Sequence, residues 1–301
     1  MRVSLPVEIS KHVRLQKADD AQISTIKGLL PNGGGLGIAY HYEHDWDEIP
    51  PTQTRRGHQT RPLDRKEWKY FVLAWEGSNS HLHDVQTALN LTPPSISCVA
   101  QVHTSEAFGL GQRSGVSVEA VAAHFQHQRI PPVTVTIDEG VVDSWRVTYS
   151  KVQALQRHKY PAISRAIDLI DQLRRFPSFA HLQVLSHFMV LEMLLTHKPS
   201  DKEVGDSLAH QIRTKVALLS RRLPQPLNYS VFAADVSEDK VWTKLYSYRS
   251  AVAHGGVPDF EKELSVLRNA ETAWSFMATA TAMLARYALD EPQLVDSLKQ
   301  I

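Results

Sequence analysis

The stretch Leu245-Tyr-Ser-Tyr-Arg-Ser-Ala-Val-Ala-His-Gly-Gly256 ends a helical pattern on two glycines and carries one arginine and one histidine in its last turns. A core stripe runs through Val241, Leu245, Tyr248 and Val252, at spacings of four, three and four. This predicts a helix starting near 235–238 with that face buried. Trp242, Tyr246, Arg249 and Ala253 form a neighbouring stripe, and Ser250 and His254 stand one turn apart on the next. Arg249 and His254 are five residues apart, about 140° around an ideal helix. The two side chains do not share a face, so acting on one group requires a distorted last turn or a second copy of the chain.

Gly255 and Gly256 suit the left-handed conformation that ends a helix, and Pro258 bars its resumption. His254 thereby falls at the negative end of the helix dipole, which favours the imidazolium and suits a general acid. A guanidinium is a fork for phosphate oxygens. Ser250, next to Arg249, is in reach to bond His254 and fix its ring.

Outward from this helix, the period is helical from Pro161 onward. Apolar stripes predict helices over Ala162–Arg175, Ser178–His197, Gly205–Arg222 and Lys262–Leu289. The second is apolar almost all round, which argues for the centre of a bundle. Within it Glu192 lies among Leu185, Phe188 and Leu195, where an unpaired carboxylate would cost several kcal/mol, about 3–5 for a truly buried one. It needs a partner, Arg249 first and Arg213 second.

The chain before this bundle reads as α+β, with the boundary between 150 and 160, giving domains 1–155 and 156–301. A helix is expected over Asp19–Leu30 with Asp19 or Asp20 as cap. Strands are expected over Tyr70–Trp75, Val133–Ile137 and Trp145–Tyr149, where β-branched and aromatic residues alternate with polar ones, and a further helix over Val116–Gln128.

Composition sets outer limits. The 301 residues carry 33 basic and 32 acidic side chains, a formal charge of +1, so no global field draws the molecule onto nucleic acid. With 43% apolar and 22% charged residues the chain reads as ordinary globular protein. Its one cysteine, Cys98, excludes an internal disulfide framework and points to a reducing compartment. No signal-like start and no long apolar run is seen, so a cytoplasmic protein without a membrane span is expected.

The motif and its surroundings resemble the HEPN superfamily, in particular its ApeA-like branch, marked by an arginine and a histidine separated by four to six residues. The resemblance rests on Tyr248-Arg-Ser250, His254-Gly-Gly256, a preceding apolar helix with an embedded acid and a following long helix, over the C-terminal half. It implies that the helical half is an all-α HEPN bundle, with the α+β half before it as a sensing or specificity domain. It also implies a homodimer in which paired helices make a composite site, and a metal-independent endoribonuclease with no cofactor. In the implied mechanism a ribose 2′-hydroxyl would attack the adjacent phosphate, with Arg249 steadying charge, His254 handling protons and Ser250 as the third catalytic residue, while Glu192 and Tyr246 are supporting residues. Products would be a 2′,3′-cyclic phosphate and a 5′-hydroxyl. The resemblance further suggests RNA such as tRNA as substrate, a role in anti-phage or toxin–antitoxin defence, and an antitoxin or phage-derived trigger. A non-catalytic HEPN module that dimerises and binds a ligand or RNA is the alternative.

Other signals are weaker. Asn32-Gly-Gly-Gly-Leu-Gly37 lacks the flanking elements and the Gly-Lys-Ser/Thr ending of a phosphate loop and reads as a loop. His41-Tyr-Glu-His44-Asp45-Trp-Asp47 has metal-capable residue types, but a solvated loop is the better reading and metal-dependent hydrolysis there a third option. Arg55, Arg56, Arg61, Arg65 and Lys66, interleaved with Trp68 and Tyr70, are candidate RNA contacts, against the plainer reading of a solvated face balanced by Asp64 and Glu67. His124 and His127 read as surface helix residues.

Overall fold

The computed structural model describes residues 3–29, 40–52, 55–96, 98, 102–103, 112–113, 135–173, 181–198, 207–232 and 236–300. The glycine loop at 32–37, the helix expected over 116–128 and the histidines at 124 and 127 lie outside them. The chain divides into two compact units, residues 1–86 with 96–143, and residues 87–95 with 144–301. The second unit thus takes in 87–95 and begins at 144 rather than 156.

The first unit is a small α+β body. Strands β1 (Val7–Ser10), β2 (Val13–Lys17) and β5 (Phe71–Trp75) form an antiparallel sheet in the order β1-β2-β5. Val7, Ile9, Val13 and Leu15 alternate with exposed or half-buried residues and are buried, so one face is core, as period-2 patterning requires. Helix α1 (Asp20–Leu29) opens on reciprocal bonds: Gln22 N–H donates to Asp19 Oδ1 (2.8 Å) and Asp19 N–H to Gln22 Oε1 (3.0 Å). A helical turn, α2 (Tyr40–Glu43), leads into a hairpin of β3 (His44–Thr52) and β4 (Arg55–Pro62). The His41–Asp47 segment is therefore a turn and a strand rather than a loop. Helix α3 (Asn79–Leu91) begins in this unit, where Leu82 and Val85 are buried, and its residues from 87 on belong to the second; β6 (Val102–His103) pairs with β7 (Gln112–Arg113).

The strand expected over Trp145–Tyr149 is instead the middle of helix α4 (Glu139–Ala154). Val142, Trp145, Thr148 and Val152 are its buried residues, spaced three, three and four, so the helical period overrides the β-branched composition. Of the strand expected over Val133–Ile137, residues 135–137 have no regular structure.

The second unit is helical: α5 (Pro161–Leu173), α6 (His181–Leu195), α7 (Leu208–Ser220), α8 (Glu238–Ala253), α9 (Ala270–Asp290) and α10 (Pro292–Gln300) follow α4. Helix α6 packs against α5, α7, α8, α9 and α10, which makes it the centre of the bundle. Ile163, Ile167 and Ile170 of α5, Phe188, Leu191 and Leu195 of α6, and Ile212 and Val216 of α7 share one core with Val241 and Leu245 of α8 and Met277 and Leu284 of α9. Ser207, Ser237 and Asn269 cap α7, α8 and α9 by accepting from the backbone N–H three residues on. Helix α6 is not enclosed all round: Leu182 is 60% and Met189 46% exposed, on its outer flank.

Candidate functional site

Helix α8 buries Val241, Trp242, Leu245 and Tyr248, which turns Arg249 toward the edge of α6. Arg249 Nη2 donates to Glu192 Oε1 at 3.3 Å, and the two side chains are 27% and 22% exposed. Of the two partners expected for Glu192, the structure uses Arg249. Arg213 is engaged elsewhere, with Asp239 at 2.8 Å and the Thr243 hydroxyl at 3.3 Å.

The Arg249 guanidinium also lies over the ring of Tyr246, 5.6 Å from its centroid. These two are one turn apart, so the contact is local to the helix. Tyr246 in turn meets the Phe188 ring edge-on at 5.8 Å. Arg249 is thus held by an acid from α6 and an aromatic face from α8. A guanidinium has five N–H donors, and one is committed to Glu192 among the described residues, so capacity for a phosphate remains.

His254 is the residue that closes α8. Its backbone, at φ −98° and ψ 12°, has left the helix, and its N–H donates to Ser250 O at 3.1 Å. Gly255 follows at φ +73°, donating to Val252 O (3.2 Å), and Gly256 donates to Ala251 O (2.8 Å). This crossed pair of bonds is a Schellman end, and it satisfies carbonyls that the helix leaves orphaned. His254, Gly255 and Gly256 are exposed, and Val257 is 92% exposed. The imidazole therefore stands at a hydrogen-bonded helix terminus, exposed to solvent. The Ser250 hydroxyl, expected to orient this ring, makes no bond to it among the described residues; the two residues are joined through backbone only.

One feature of this region was not anticipated from the sequence. Tyr248, between Tyr246 and Arg249, is 1% exposed, and its hydroxyl meets His181 Nδ1 at 2.5 Å at the start of α6. Burial pushes the Tyr248 phenol up to about 12. The signal was available: a tyrosine on a core stripe needs a partner for its hydroxyl.

The basic run of the first unit is distributed among acids. Arg61 faces Asp45 at 3.8 Å, Arg65 Asp20 at 2.6 Å, Lys66 Asp64 at 3.9 Å and Lys69 Asp45 at 2.9 Å. Arg55 and Arg56 lie in β4, and their side chains are outside the described residues. Tyr70 is buried, with Tyr42 stacked on its ring and the Lys27 ammonium over it, so as it stands it offers no open face to a base. Among the described residues no group of three or more histidine, cysteine, aspartate or glutamate side chains is arranged to hold a metal ion, and no helix is long and apolar enough to cross a membrane.

No family model matches the chain, and neither a curated protein nor a solved structure matches it.

Proposed function

We propose that the chain is a metal-independent endoribonuclease of the HEPN type, in which Arg249 binds the scissile phosphate and His254 exchanges protons with the ribose or leaving oxygen. The observation that carries this reading is the placement of Arg249: a partly exposed guanidinium, fixed by Glu192 and Tyr246, five residues before an exposed histidine on a hydrogen-bonded helix end. Fixing the arginine before substrate arrives removes an ordering cost from the transition state.

One chain supplies one arginine within α8 and one histidine at its C-cap, and in this reading a second copy of the chain completes the site. The outer flank of α6, with Leu182 and Met189 exposed and Glu192 on the same helix, is an apolar surface suited to that copy. The substrate class is RNA with a free 2′-hydroxyl, tRNA being the first to test. A cytoplasmic defence protein, held off by an antitoxin or released by a phage-derived trigger, is the role that fits such a nuclease.

Incubation with total tRNA in EDTA tests the reading. Fragments ending in 2′,3′-cyclic phosphate should appear with the wild-type chain and vanish with His254→Ala. Loss of cleavage in EDTA, or cleavage that survives Arg249→Ala and His254→Ala together, overturns it.

A second reading is a non-catalytic module that dimerises through the bundle and binds a ligand or RNA. It is favoured by one fact: Ser250, expected to meet the His254 ring through its hydroxyl, meets His254 through the backbone bond from His254 N–H to Ser250 O. Stable dimers with no cleavage of any RNA would select it.

A further inference from the structure

In the first unit, a lysine ammonium occupies a built cage. Lys27, in the last turn of α1, places its Nζ over the Trp68 ring, 4.5 Å from the centroid, and 6.0 Å from the centroid of Tyr70. The same ammonium pairs with the Glu43 carboxylate, whose side chain is only 20% exposed. Each wall is fixed independently of Lys27. Trp68 Nε1–H donates to Leu63 O at 3.2 Å, and the Arg65 guanidinium lies 5.4 Å from the indole centroid. The Tyr70 hydroxyl donates to Glu43 Oε1 at 2.8 Å, and Tyr42 stacks on the Tyr70 ring at 5.0 Å.

Two π-faces and one half-buried carboxylate converging on a single cation are the chemistry that recognises an organic ammonium. We infer that Trp68, Tyr70 and Glu43 form a binding site for alkylammonium groups, which Lys27 fills in cis. Lys27 suits the part of a displaceable occupant. Its side chain is 40% exposed, and nothing but the cage contacts themselves holds the ammonium there among the described residues. An external cation that is less strongly hydrated than a primary ammonium, such as a quaternary one, competes well for such a site, because less water is stripped from it on entry. The site shares no residue with the Arg249–His254 motif, and it stands whether or not the chain cleaves RNA.

The test uses the full chain with its tryptophans isotope-labelled, reading the Trp68 indole resonance, assigned by its loss in Trp68→Phe. Tetramethylammonium chloride is titrated against sodium chloride at equal ionic strength. Lys27→Ala, which empties the cage, should respond to the organic cation at concentrations about tenfold lower than wild type, and adding Glu43→Gln should weaken that response by about tenfold. Lys27→Met, which refills the cage with an apolar chain, should not respond. Choline and an N-acetyl trimethyllysine amide then separate a free small molecule from a modified side chain of a partner protein, and tighter binding of either supports the site. A folded Lys27→Ala chain whose Trp68 resonance answers tetramethylammonium no more than sodium overturns it. Should that variant fail to unfold cooperatively on heating, Lys27→Ser or Lys27→Thr is titrated in its place, and silence in the folded variant has the same force.

Discussion

Glu192 of α6 and Arg249 of α8 meet through a single 3.3 Å hydrogen bond at the edge of the bundle, with neither side chain sealed from water. Partial exposure limits what the pair adds to stability, about 1 kcal/mol rather than the larger figure of a buried ion pair. Its greater effect is on geometry, because it leaves Arg249 pointing outward with donors to spare. Arg249→Lys keeps a cation near Glu192 but loses the planar fork. That variant should melt within about 3 °C of wild type and, on the proposed nuclease reading, cleave RNA at least about 100-fold more slowly. Thermal melts and single-turnover cleavage read the two quantities. Equal cleavage by both chains rules out a phosphate fork at this position.

His254→Ala separates chemistry from folding more cleanly. The side chain is exposed and makes no side-chain hydrogen bond among the described residues, so denaturant midpoints should place its stability within about 0.5 kcal/mol of wild type. Loss of an acid–base group costs about 10²–10⁴ in rate. A cleavage rate within tenfold of wild type would remove His254 from the mechanism.

Tyr248 carries a prediction about alkaline pH. Its phenol is pushed up to about 12 by burial, as is that of Tyr229, against an ordinary value of 10.0. In the unfolded chain both lose protons near pH 10, so between pH 10 and 12 the unfolded state binds fewer protons than the folded one. Stability contributed by the neutral phenols is therefore fully present below pH 10 and declines as pH rises toward 12. Tyr248→Phe removes one of these groups and also the bond to His181, worth about 1 kcal/mol. It should be less stable than wild type at pH 7, with the gap narrowing as pH approaches 12. Urea midpoints measured along that range give the answer, and a gap that widens contradicts the assignment.

How far the sequence could be read depended on where burial was set by period alone. Val241, Leu245 and Tyr248 are buried as their spacing implies, and Ile163, Ile167 and Ile170 likewise. The end of α8 was legible because two glycines and a proline leave the backbone few choices. The Glu192 partner was legible because a carboxylate on an apolar face has few options in a helical bundle. Trp145–Tyr149 misled because its β-branched and aromatic residues mimic a strand over five positions; only the longer window from Val142 to Val152 shows the helical period. The β3–β4 hairpin was hidden for another reason. His44-Asp-Trp-Asp-Glu-Ile-Pro-Pro-Thr52 has no apolar alternation, and Pro50 and Pro51 argue against a strand by rule. That the Tyr248 hydroxyl needs a partner could be read from its place on the core stripe, but no local pattern points to His181, which lies far away in the chain.

The glycine pair after His254 is where backbone and proposed chemistry can be tested together. Gly255 holds φ +73°, and a Cβ there would meet nothing within 4 Å, so any cost of substitution is purely conformational. A non-glycine residue in this region loses about 1–2 kcal/mol, less for asparagine and most for a β-branched side chain. Stability should therefore fall in the order Gly255, Gly255→Asn, Gly255→Ala, Gly255→Val. Gly256 differs, because its Cβ would stand 3.2 Å from the Ala251 carbonyl oxygen, the acceptor of its own N–H. Gly256→Ala should then disturb the Schellman bond itself. Both substitutions act on the segment that sets the direction of the His254 ring, while leaving Arg249 and Glu192 in place. If that ring serves the reaction, Gly255→Val should slow cleavage by far more than its loss of folded chain explains, under conditions where it remains over nine-tenths folded. Cleavage that tracks only the folded fraction would show that the helix end matters for stability and not for the chemistry.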